Sequence, residues 1–190
     1  MRYYLNSGFF AIALLFFFLP FIEIRCNDSA LADMSGYQMA SGKKPELNDP
    51  SLMDYMKDSP QIAALKSQEA GPDPFTISAA ACLAAGFILQ LVLKRNKETV
   101  ALVCSLSALT VLVFLNVFMQ YQWTKQMAGA EEVSTYMKFT LNFVAGYWLA
   151  VGSSFLISAL NGYYVYNDRR NKALVVYEPE HLSPDTLEEV

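Results

Sequence analysis

Cys26 is the residue of this chain with a neighbour that could make it reactive, because the guanidinium of Arg25 favours the thiolate, the form that attacks or binds a metal. A working thiol also needs a resolving cysteine, a base or further ligands, and none stands near it. Cys82 and Cys104 complete the three cysteines and fall inside apolar runs, so no paired framework in a polar loop and no zinc set is expected. His181, the single histidine, lies beside Glu180 without histidine or cysteine neighbours, and a metal role is not expected of it. The chain has no glycine-rich phosphate loop, no His-Glu-x-x-His and no Gly-x-Ser-x-Gly, which leaves no nucleophile with its base. The expectation is a non-enzymatic protein with no cofactor and no metal.

The polar groups within the apolar runs are amides and small hydroxyls. Gln90, Asn116, Gln120, Asn142 and Asn161 could line the polar path of a small carrier or channel. They could equally bond across helix contacts, each bond contributing about 1 kcal/mol in a membrane. No Asp, Glu, Lys, Arg or His stands in the middle of any run, which counts against proton-coupled pumps and voltage sensors. Small residues recur with the amides at helical spacing. Ser78, Cys82, Gly86 and Gln90 share one face, and Cys104, Ala108, Leu112, Asn116 and Gln120 another. Gly146, Ala150, Ser154, Ser158 and Gly162 form a small-xxx-small stripe beside a second stripe of Tyr147, Val151, Phe155, Ala159 and Tyr163. Gly86 and the first of these two stripes are the candidate packing seams, where backbones approach closely. Trp148 has no reading beyond helix packing.

The elements that must carry these stripes follow from composition. With 54% hydrophobic residues and a positive mean hydropathy concentrated in blocks, the chain reads as an α-helical, multi-pass membrane protein. Lys94-Arg95-Asn96-Lys97 separates runs from Phe75 to Leu93 and from Val100 to Met119, each about as long as a bilayer crossing. It is therefore a turn between spans, and its basic residues place it on the cytoplasmic side. The expected spans are 8–24, 74–93, 99–122 and 138–167. Residues 1–7, 94–98 and 168–190 are then cytoplasmic, and 25–73 and 123–137 extracytoplasmic. The cluster Asp168-Arg169-Arg170-Asn171-Lys172 holds the carboxyl terminus inside, and both termini face the cytoplasm of a cell or inner membrane. The first run follows Arg2, lacks a small-residue cleavage site and reads as an uncleaved signal anchor whose many phenylalanines face lipid. Pro20 lies near its outer end, where it can kink the helix. The net charge of -4 has no concentrated basic patch behind it, so no nucleic-acid partner is expected.

The long outer segment has turn glycines at Gly36 and Gly42, and capped helix starts at Asp49-Pro50 and Ser59-Pro60. The fold class is thus an all-α membrane protein, a four-transmembrane-helix bundle with a small extracytoplasmic layer of turns and short helices between spans 1 and 2. A layer that small cannot bury all of its apolar groups, so Tyr37, Met39, Met53 and Met56 are candidate contacts for a partner. The order of parts resembles the layout of claudin-like and tetraspan proteins. The first loop has no tryptophan, no cysteine pair and no Cys-Cys-Gly, so the resemblance implies topology and no residue roles. The functional expectation is a scaffold or accessory subunit of a membrane complex, in contact with the lipid bilayer and with a protein partner or a second copy of itself. The small carrier or channel is the alternative.

Overall fold

A computed structural model describes residues 2–26, 29–43, 46–47, 71–93, 97–128 and 139–176. Helix α1, Arg2–Phe16, does not run on through the expected span to residue 24. It tightens into a last turn in which Phe17, Phe18 and Leu19 donate to the carbonyls three residues back, and strand β1, Pro20–Cys26, then begins. The cause is local. Pro20 has no N–H and its ring would strike the carbonyl one turn behind it, while Ile22 and Ile24 alternate with Glu23 and Arg25 at strand period.

Strand β2, Ser29–Ser35, pairs antiparallel with β1, placing Glu23 opposite Asp33 and Ile24 opposite Ala32. Helix α2, Gly36–Ser41, has a capping box of Ser35 and Gln38 and ends on Gly42 at φ 67°, the left-handed conformation that glycine adopts without penalty. The short β3, Glu46–Leu47, pairs with β2. Strand β4, Phe139–Phe143, lies on the other side of β1 with Ile22 opposite Phe143, giving the order β3-β2-β1-β4. The all-α expectation is therefore corrected: the described residues are mostly helical, at 77%, and include a small antiparallel sheet.

Three longer helices complete the fold. Helix α3, Pro74–Val92, starts on Asp73, whose carboxylate accepts from the amide of Thr76 at 2.7 Å and also binds its hydroxyl. Helix α4 is Lys97–Ala128 and α5 is Ala145–Val176. The fourth expected span thus begins as strand, and its helix starts seven residues late. Within α3 and α4, Pro74–Val92 and Lys97–Lys125 are long and apolar enough to cross a membrane. The principal helix contacts are α3 on α4, α4 on α5, α5 on α1 and α1 on α3. Phe10, Ala13, Leu83, Ala108, Leu112, Ala150 and Ile157 are buried between them.

The sheet continues this core outward. Ile22, Ala32 and Leu141 are buried on its apolar face, with Met119 and Trp123 of α4 packed against the same cluster. Glu23, Asp33 and Asn142 are paired in one row across β2, β1 and β4. Met53, Met56, the two capped starts, Lys94 to Asn96 and His181 lie outside the described residues.

Candidate functional site

The small-residue stripe of α5 packs against two different elements. A Cβ on Gly146 would stand 2.7 Å from Leu19 Cβ and strike the carbonyl of Pro20, so the turn that joins α1 to β1 is seated directly on the helix backbone. Ala150, Ser154 and Ser158 are buried, and Ser158 Oγ lies 2.8 Å from Ser105 Oγ of α4. Gly162 meets Leu102 at the same contact, with room for an ordinary 3.7 Å approach. Gly86 has a different partner: the ring of Phe10 lies against it, and a Cβ there would come within 2.7 Å of Cζ. The neighbouring stripe on α5 divides. Tyr147 is buried, whereas Phe155 and Tyr163 are exposed.

The five amides of the candidate path are not strung along one channel. Asn161, fully buried on α5, accepts from Asn6 Nδ2 of α1 at 2.9 Å and donates to the Ile157 carbonyl at 2.7 Å. Gln90, on α3, donates to the Lys97 carbonyl at 2.7 Å and so ties the start of α4 to the end of α3. Its Oε1 is buried and has no donor among the described residues. Asn116 lies near the Tyr147 side chain, whose hydroxyl donates to the Leu112 carbonyl at 2.9 Å. Asn142 is exposed on the polar face of the sheet.

Gln120 has a use that the sequence did not suggest. The Val144 amide donates to the Phe21 carbonyl at 2.9 Å, which makes Ile22 and Phe143 a non-hydrogen-bonded pair of the antiparallel ladder. The carbonyls of Leu141 and Phe143 consequently point to the open edge of β4. Gln120 Nε2 reaches the first at 3.4 Å, and Trp148 Nε1 reaches the second at 3.2 Å. Two helices thus cap a sheet edge that would otherwise offer bare acceptors to another strand. This assigns Trp148 its part, and the nearest signal in the sequence was an indole a few turns below the boundary.

On the outer layer, the four candidate partner residues separate. Met39 is 3% exposed and belongs to the core. Tyr37 is exposed and stacks on Phe18, with ring centroids 5.6 Å apart and planes at 22°. Met53 and Met56 are outside the described residues. A shallow groove lined by Leu19, Pro20, Glu23, Asp33, Val144, Ala145 and Gly146 opens where the sheet meets α5. Its Glu23 is paired with Arg25 at 3.2 Å. Among the described residues, no group of three or more His, Cys, Asp or Glu is placed to hold a metal ion. No protein-family model, no curated protein and no solved structure matches the chain.

Proposed function

We propose that the protein is a non-enzymatic, multi-pass membrane subunit or scaffold, with four crossing helices, both termini cytoplasmic and an outer layer that engages a protein partner. The observation that carries this reading is the use made of the intramembrane amides. Asn161, Gln90 and Gln120 each bond to a neighbouring element, so these amides hold helices and sheet together rather than lining a solvated path. A carrier would need such groups free to replace the hydration shell of its cargo. Helix lengths support the crossings: the 19 residues of α3 extend about 28 Å, close to the hydrocarbon thickness of a bilayer.

For the partner, the polar sheet face around Glu23, Asp33 and Asn142 is rigidly presented by a sheet rooted in the core, and the segment with Met53 and Met56 adjoins this layer in the chain. The test is purification of the tagged full chain in mild detergent. A stoichiometric second protein is the expected result, and a uniform homo-oligomer without one would favour the carrier. Orientation is checked separately by a cysteine at Asn96, which should resist an impermeant thiol reagent until the membrane is opened.

A further inference from the structure

We propose that Phe18, Tyr37 and Lys43 form an anchor seated in the headgroup region of the outer leaflet, so that the ligand of this patch is phospholipid rather than protein. The inference rests on the membrane reading above and assigns one surface within it.

Helix α1 turns Asn6, Phe10, Ala13 and Phe17 inward, and leaves Ile12, Leu15, Phe18 and Leu19 exposed on the opposite wall. Tyr37 stacks on the outermost part of that wall, so its ring continues the apolar lane instead of covering the core. Two backbone bonds hold α2 at this height. The Tyr37 amide donates to the Phe17 carbonyl at 2.8 Å, and the Asp73 amide, at the start of α3, donates to the Met39 carbonyl at 2.9 Å. Helix α2 is therefore fixed in the plane where α1 and α3 both leave the apolar zone. Counted from Arg2, the α-helical turns and the tightened turn to Leu19 rise about 28 Å, which sets Phe18 near the far boundary of a hydrocarbon layer.

Lys43 completes the arrangement, its Nζ lying 5.2 Å from the centroid of the Tyr37 ring. An aromatic pair with an apolar body, a phenol tip and an ammonium held at the ring matches the layered chemistry of the interface. The rings meet acyl chains and glycerol, and the cation meets phosphate. A protein partner would leave unexplained why the patch is continuous with the exposed wall of α1 and at the height of the leaflet boundary.

The experiment places photoreactive p-benzoylphenylalanine at Tyr37 in the full chain, reconstituted in vesicles of phosphatidylethanolamine and phosphatidylglycerol, and reads adducts by intact mass after irradiation. The same probe at Val117, exposed on α4, and at Asn142, exposed on the polar sheet face, frames the result. Phospholipid adducts at Tyr37 should approach those at Val117 and exceed those at Asn142 about tenfold. Lipid adducts at Val117 but not at Tyr37 would overturn the anchor alone, as would a cross-linked dimer through Tyr37. No lipid adduct at Val117 would overturn the membrane reading itself. The probe at exposed Lys43 gives the same readout if the Tyr37 variant does not fold.

Discussion

The contact between Gly86 and Phe10 can be broken by one methyl group. A Cβ at residue 86 would lie 2.7 Å from Phe10 Cζ and 3.0 Å from Cδ1, and Phe10 is fully buried, so its ring has little room to withdraw. Overpacking of this kind costs about 1–3 kcal/mol. Gly152 on α5 is the internal control, since a Cβ there meets nothing within 4 Å. Replacing a helix-interior glycine by alanine contributes about 1 kcal/mol of stability through helix propensity, and this gain applies at both positions. The difference between Gly86→Ala and Gly152→Ala therefore isolates the steric cost, expected at about 1–3 kcal/mol. Reversible unfolding of the full chain in mixed micelles, followed by circular dichroism, measures it. Phe10→Leu alone should cost about 1–2 kcal/mol as a cavity, yet combined with Gly86→Ala it should be less than additive by about 1 kcal/mol or more. Equal effects at residues 86 and 152, or strict additivity with Phe10→Leu, would refute the contact.

The other expectations concern polar groups and the outer layer. A double-mutant cycle on Asn6→Ala and Asn161→Ala should show a coupling of about 0.6–1.7 kcal/mol, the range for buried bonds between membrane helices; zero coupling would remove the α1 to α5 link. Tyr147→Phe should lower stability by about 0.5–1.5 kcal/mol through loss of the bond to Leu112, with no change in secondary structure by circular dichroism. Trp148→Phe together with Gln120→Leu should speed hydrogen exchange at the Asn142 and Val144 amides, which face β1, by loosening the β4 edge, while the Leu83 amide stays protected. Met39→Ser should reduce the amount of folded protein in the membrane, because a buried side chain of this size contributes about 2–5 kcal/mol, whereas Tyr37→Ser should leave that amount unchanged.

Much of the helical framework was legible in the sequence because its determinants are local. Apolar runs of bilayer length separated by a short basic stretch act within a few residues, and α3 and α4 lie where those runs put them. Which small residues share a helix face was legible for the same reason. A four-residue repeat places Gly146, Ala150, Ser154 and Ser158 on one face whatever that face meets. The sheet was hidden, although the alternation from Ile22 to Arg25 was a signal for β1. Residues 139–143 are as apolar as the helix that follows, and whether Phe-Thr-Leu-Asn-Phe becomes strand or helix depends on a partner strand far away in the chain. Partner identity was equally out of reach. Nothing near Gly86 announces Phe10, and Gln120 reads as an intramembrane amide until β4 turns the Leu141 carbonyl towards it. Exposure of Tyr37 and burial of Met39, two residues apart on a single helical turn, was likewise decided by tertiary structure. Sequence spacing determines which side chains share a face, but only the packing of α2 on the ends of α1 and α3 determines which way that face is turned.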